Sequence, residues 1–127
     1  MGRLLLEQQL RLDLIVSSTA QRAQATATLV SAAAGYQGAV LLESNLYHGG
    51  IADILNVIRQ LNNEYRSALV IGHNPGMVNL LEHLTGGAQD LPTAAVAQLQ
   101  LCVERWSDVD WSTSAMLMDL WRPRELP

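Results

Sequence analysis

Short apolar runs alternate with longer amphipathic segments along most of the chain, which predicts strands alternating with helices. Strands are predicted over residues 12–16, 39–42, 68–71, 94–103 and 114–121, and helices over residues 2–10, 20–34, 51–61 and 75–84. The last two strands follow each other without a helix between them. This order predicts an α/β sandwich in one domain over residues 1–127, with a mostly parallel sheet and an antiparallel element late in the chain.

The junction after the predicted strand 68–71 is the most informative stretch. Gly72 ends a short apolar run that we expect to be a buried strand, and His73 follows at its carboxyl end. Asn74 is a good N-cap, and Pro75 suits the first helical position because its missing N–H costs nothing there. Unpaired N–H groups of the helix that follows would point into the same space, which predicts a seat for an anion.

The junction after the first predicted strand has the same design. Ser17 and Ser18 follow the strand as capping residues, and Arg22 falls in the first turn of the next helix. A cation is unfavourable there, so Arg22 makes more sense with an anionic partner, and its planar fork suits phosphate. Alone, Arg22 reads as a solvated helix residue and His73 as part of a capping turn. Because ligands of α/β sheets collect at the carboxyl ends of strands, the two together favour an anion site.

Composition and charge narrow the function classes. The 127 residues are 49% hydrophobic and 16% charged, which is typical of a globular domain. No apolar run approaches the roughly 20 residues that span a bilayer, so no membrane association is expected. Three leucines near the amino end are followed at once by Glu7, Gln8 and Gln9, which argues against a signal peptide and predicts a cytoplasmic protein. The net charge of −4 gives no reason to expect a nucleic-acid partner.

Cysteine and metal-ligand patterns point to no cofactor. The single cysteine, Cys102, excludes an internal disulfide and lies in the apolar run 96–103, which predicts a buried thiol. No cluster of His, Cys and carboxylate residues has the spacing of a metal site, so neither a metal nor another cofactor is expected.

Two motifs resemble those of a known family. The segment 17–27 reads S-S-T-A-Q-R-A-Q-A-T-A and is similar to the S-S-x-x-x-R-A-x-x-T-A signature of the histidine phosphatase superfamily. The segment 70–76, V-I-G-H-N-P-G, resembles the motif that carries the second histidine of that family. Three shorter stretches resemble its small phosphohistidine phosphatase branch, the SixA type. These are Leu46-Tyr47, the segment 91–95 and the ending 121–126.

The resemblance implies a three-layer α/β/α sandwich of the phosphoglycerate mutase-like kind and a covalent route. In that family a neutral histidine attacks phosphorus, and water hydrolyses the phosphohistidine that forms. By position Arg22 matches the second arginine and His73 the second histidine, both as catalytic and phosphate-binding residues, with support from Asn74 and the N–H groups after it. The implied substrate is a phosphorylated protein or a small phosphoester. Glu43 and Glu82 are candidates for a general acid, and nothing in the sequence distinguishes them.

One part of the family pattern is missing. The family begins with a central strand ending in Arg-His-Gly, whose histidine is the nucleophile, and these 127 residues contain no such tripeptide. We expect His48 and His83 to be structural or solvated rather than substitutes. A start at an internal methionine, a fragment and a natural pseudophosphatase each account for the difference. The chain as written is predicted to be inactive and to expose the strand edges beside the missing strand; a non-catalytic phosphate-binding module and a structural remnant are the alternatives.

Overall fold

The computed structural model describes residues 12–47, 49–88, 90–92 and 95–121, and the statements below concern these residues. The predicted helix over residues 2–10, the motif residues 122–126 and His48 lie outside them.

Strands and helices follow the predicted order. They are β1 (Leu14–Ser18), α1 (Gln21–Ala34), β2 (Val40–Glu43), α2 (Ile51–Arg59), β3 (Ala68–Ile71), α3 (Gly76–Thr85), β4 (Val96–Leu101) and β5 (Ala115–Trp121). Helices α1 and α3 both end at glycines in the left-handed conformation, Gly35 with φ of 72° and Gly86 with φ of 77°. These glycines end the helices because a positive φ is costly for other residues. The main differences are in two strands: β1 begins and ends two residues later than predicted, and β4 begins two residues later and ends two residues earlier.

Strand β1 is the centre of a parallel three-stranded sheet with the order β2-β1-β3. All five of its residues are buried. Strand β3, predicted to be buried, is half-buried along its whole length. It pairs with β1 on one side, and in the described part of the chain no strand pairs with its other edge. The half-burial of β3 agrees with the expectation of an open strand edge, whereas its assignment as a buried strand is wrong.

Strands β4 and β5 form a separate antiparallel pair. The pair packs beside β3, since Leu69 of β3 and Val96 of β4 belong to one apolar cluster that also contains Val30 of α1. Within the described residues, no strand hydrogen bonds join β3 to the pair. On the other face of the sheet, Val16 and Val70 join a larger cluster with the apolar sides of α2 and α3. Helices therefore cover both faces, and the predicted α/β sandwich with a mostly parallel sheet is confirmed.

Polar contacts fasten the connection between β4 and β5 to the loop after α2. The indole Nε1 of Trp106 donates to the carbonyl oxygen of Tyr65 over 2.7 Å. The backbone N–H of Ser107 donates to Asn63 Oδ1 over 3.2 Å. Further along the connection, hydrogen bonds from Ser112 and then Thr113 hold the pKa of Asp110 below its usual range.

The environment of Cys102 differs from the prediction. Its side chain is exposed, so the prediction of a buried thiol is wrong. Strand β4 ends at Leu101, two residues before the predicted end, and Cys102 begins the bend that leaves the sheet. Its backbone N–H still donates to the carbonyl oxygen of Ser114 over 2.9 Å, so the ladder continues through the main chain while the side chain meets solvent.

Across the described ranges, no helix combines the length and the apolar character that crossing a bilayer requires.

Candidate functional site

The two predicted junctions meet at the carboxyl edge of the parallel sheet. Strands β1 and β3 are neighbours in a register that pairs Ser17 with Ile71, so both chains leave the sheet side by side. Ser18 is the last residue of β1, and His73 comes two residues after β3. The Nε2 atom of His73 lies 2.8 Å from the hydroxyl oxygen of Ser18, within hydrogen-bond distance. One side-chain contact thus joins residues 55 positions apart in the sequence.

The β1–α1 junction is held by buried hydroxyl groups. Ser17 and Ser18 are completely buried. The hydroxyl of Ser17 donates to the carbonyl oxygen of Ser18 over 2.9 Å, and the backbone N–H of Ala20 donates to Ser18 Oγ over 3.1 Å. The predicted capping role of Ser17 and Ser18 is wrong, because the N-cap is Ala20 without a side-chain cap, and Ser18 Oγ accepts the N–H of that N-cap residue rather than one from the first turn.

Arg22 is the second residue of α1 and has an exposed side chain. The first turn of this helix contains no acidic residue. No carboxylate among the described residues forms an ion pair with the Arg22 guanidinium. The cation therefore stands at the positive end of a helix without a partner in this part of the chain, an arrangement that disfavours folding slightly and favours an anionic ligand.

The β3–α3 junction starts its helix later than predicted. Gly76 is the first helical residue and Pro75 its N-cap, so the assignment of Asn74 as N-cap and Pro75 as first helical residue is wrong by one position. The Asn74–Pro75 peptide bond is cis. A side chain on Gly76 would not fit, because its Cβ would lie 2.8 Å from the carbonyl oxygen of Gly49.

Backbone N–H groups at the start of α3 are largely used within the turn. Met77 N–H donates to the carbonyl oxygen of His73 over 3.0 Å, and Val78 N–H donates to Asn74 Oδ1 over 3.3 Å. The expectation of unpaired N–H groups is therefore wrong for these two residues, because the turn supplies its own acceptors. The other end of the Asn74 amide, Nδ2, donates to the carbonyl oxygen of Leu91 over 2.8 Å. Asn74 thus ties the junction to the loop before β4.

Two further side chains lie at this edge. The Tyr47 ring packs against the His73 ring at a tilt of 52°, with 5.5 Å between the ring centroids, and 43% of Tyr47 remains exposed. Glu43 is the last residue of β2 and pairs in register with Ser18. Of the two acid candidates, the structure places Glu43 at the carboxyl edge. Glu82 lies on the exposed side of α3, beside a cavity that His83 and Asn79 also line.

Comparison with known proteins points to one fold. No protein-family model matches the chain, and none of the curated proteins does. Among solved structures, a protein histidine phosphatase SixA complexed with tungstate superposes with a TM-score of 0.82 over 99% of this chain and 78% of its own, at 22% identity. This chain has the SixA fold.

Two other solved structures agree. Proteins described as SixA phosphohistidine phosphatases from Nakamurella multipartitia and Agrobacterium tumefaciens superpose with TM-scores of 0.75 and 0.74, each at 24% identity. They match 96% of this chain and 77% and 75% of their own lengths. At such identities the SixA likeness establishes the architecture, and the function of this chain has to be argued from its own site.

The remaining histidine in the described residues belongs to another part of this SixA-like chain. His83 Nε2 lies 2.7 Å from the carbonyl oxygen of Trp111, and the two rings pack with centroids 4.2 Å apart. This contact fits the expectation that His83 is structural. The described ranges also contain no group of three His, Cys, Asp or Glu side chains placed to hold a metal ion.

Sequence reasoning missed the partner of His73. The predicted strand ends at Val16, and Ser18 follows it with only a capping role. Because β1 continues to Ser18, the hydroxyl reaches the edge where β3 ends. The sequence places two strand-to-helix junctions at the carboxyl edge of the sheet. This pattern predicts that they lie at one edge, but it does not predict which side chains touch.

Proposed function

We propose that the carboxyl edge of this SixA-like domain binds the phosphoryl group of a phosphorylated protein side chain or a small phosphoester. Arg22 and His73 are the proposed ligands. The observation that carries the proposal is the contact between His73 and Ser18, because it brings the β3–α3 junction against the residue that leads into α1. Arg22 comes only four residues after Ser18.

The chemistry of both groups suits a tetrahedral oxyanion. The guanidinium of Arg22 offers donors in a planar fork that matches two phosphate oxygens. The His73 ring uses Nε2 for Ser18, and in the described residues no other hydrogen bond involves its second nitrogen. Tungstate, which the solved SixA protein holds, is an oxyanion of the same shape, and this supports an oxyanion as the ligand class here.

Binding without hydrolysis is the proposed activity of the 127 residues. Hydrolysis through a phosphohistidine needs a histidine free to attack phosphorus. The sequence contains no Arg-His-Gly, which carries the attacking histidine in the family; His83 is bonded to Trp111, and His73 is the proposed donor to the oxyanion. The fold favours a second candidate, a phosphohistidine phosphatase activity, so both have to be measured.

The test is titration of the purified chain with tungstate and with inorganic phosphate by isothermal calorimetry. His73→Ala is expected to weaken binding by about 10- to 100-fold, the usual effect of losing one hydrogen bond to a charged group. His83→Ala removes an imidazole of the same size from α3 and should leave the affinity unchanged. Equal affinity of the His73→Ala variant and the parent would contradict the proposal.

Hydrolysis is measured in parallel with a phosphohistidine peptide and a chromogenic phosphomonoester. We expect no release of phosphate above background. If the parent chain releases phosphate and the His73→Ala variant does not, the chain is a phosphatase and the proposal of binding without hydrolysis is wrong.

A further inference from the structure

We propose that Ser18 is a positioning residue that sets the tautomer of His73, so that the ring presents an Nδ1–H donor. The inference takes its ligand, an oxyanion, from the proposed function. The tautomer itself follows from the hydrogen bonds around Ser18 and is measurable without any ligand.

The surroundings of the Ser18 hydroxyl limit what it can do. The group has one proton to donate and can accept at its oxygen. The backbone N–H of Ala20 occupies one acceptor position, since an amide N–H can only donate. The other contact is His73 Nε2 at 2.8 Å. Because Ser18 is completely buried, its own proton has no access to solvent and requires an acceptor within the protein.

Within the described residues, His73 Nε2 is the acceptor that this geometry offers. If Ser18 donates to Nε2, the neutral ring carries its proton on Nδ1. If the ring is protonated, Nε2–H donates to the Ser18 oxygen and the serine proton loses its acceptor, but Nδ1–H is again present. The remaining state, a neutral ring with its proton on Nε2, leaves the serine proton unpaired and puts a lone pair on Nδ1. That lone pair would repel an oxyanion.

The neighbouring serine, Ser17, differs from Ser18 in what its hydroxyl contacts. The Ser17 hydroxyl donates to the Ser18 carbonyl oxygen over 2.9 Å, and both residues end a strand that is buried throughout. Ser17 also provides a matched control: it is equally buried and adjacent, and its hydroxyl bonds to a main-chain oxygen rather than to His73.

The experiment is long-range 1H–15N NMR of the histidine rings, read on the neutral form of the imidazole. The parent chain should show His73 with its proton on Nδ1. Ser18→Ala should shift the ring toward the Nε2–H form, whereas Ser17→Ala should leave the Nδ1–H form in place. His73→Gln identifies the resonance. A parent chain with the Nε2–H form would overturn the inference, as would a Ser18→Ala variant that keeps the parent tautomer.

The parent spectrum decides the first point even where Ser18→Ala does not fold, and Ser18→Thr, which keeps the hydroxyl, provides a second variant that should retain the Nδ1–H form. Tungstate affinity is measured on the same samples. Ser18→Ala should bind about 2- to 10-fold more weakly than Ser17→Ala, the range expected for one uncharged hydrogen bond. One outcome separates the two proposals: the parent has the Nδ1–H tautomer, but neither the parent nor any variant binds tungstate. The proposed function then fails, and the role of Ser18 in setting the tautomer stands.

Discussion

The two ends of the β1–β3 pair use polar side chains in different ways. At the amino end, Asp13 Oδ2 accepts the backbone N–H groups of Arg66 and Ser67 over 2.8 and 3.3 Å, and Ser67 Oγ accepts the N–H of Asp13 over 3.1 Å. At the carboxyl end, Ser18 bonds to an imidazole that has a second nitrogen. Both contacts connect the same two strands across more than fifty residues.

The polar side chains at the amino end hold the fold together, whereas those at the carboxyl end present a group to a ligand. Asp13 directs its carboxylate at main-chain donors, which fixes where β1 and β3 start. Ser18 directs its hydroxyl at a side chain whose other donor can meet a substrate. The amino end should therefore influence stability, and the carboxyl end should influence affinity for an oxyanion.

Asp13→Ala tests the amino end and should have the largest effect on stability. We expect the free energy of unfolding to fall by about 2–3 kcal/mol, because two main-chain N–H groups lose a charged acceptor. Urea unfolding followed by circular dichroism measures it. Asp13→Asn, which keeps one acceptor oxygen, should lose less. Tungstate affinity should match the parent, and a loss as large as that of His73→Ala would remove the distinction between the two ends.

Arg22→Ala tests the carboxyl end with an effect of opposite kind. Tungstate affinity should fall by about 10- to 100-fold. The free energy of unfolding should rise by about 0.3–1 kcal/mol, because the substitution removes a cation from the positive end of α1. Calorimetric titration and urea unfolding measure the two quantities on the same sample.

Arg59→Ala is the matched control for Arg22. It removes the same charge from the last turn of α2, where a cation is favourable and its guanidinium donates to Asn56 Oδ1 over 2.6 Å. This variant should keep tungstate affinity and lose a little stability. Equal losses of affinity in both variants would mean that only net charge matters.

Asn74→Ala should give the smallest effect. Losing the acceptor for Val78 N–H and the donor to Leu91 should cost about 1 kcal/mol of unfolding free energy. Affinity should change less than in Arg22→Ala, because the amide is occupied with the protein's own backbone. Asn79→Ala, an exposed position on the same helix, is the control. An affinity loss equal to that of Arg22→Ala would make Asn74 a phosphate ligand, as its motif position predicts.

Local patterns in the sequence were sufficient for the order of strands and helices, for the end of α1 at residue 34, and for placing Arg22 and His73 at one edge. Each of these depends on features within a few residues, such as apolar periodicity, a glycine at positive φ or a turn after a strand. The predicted start of α3 is one residue early for the same reason. Pro75 suits both the N-cap and the first helical position, and the choice between them depends on the hydrogen bonds of its neighbours.

Tertiary structure decided which strand is central and which side chains touch. The runs in β1 and β3 are similarly apolar, yet β1 is buried and β3 half-buried, because burial depends on having a neighbour on each side. The Ser18–His73 contact depends on the parallel register of two strands some fifty residues apart, and no local pattern of apolar and polar residues encodes that register.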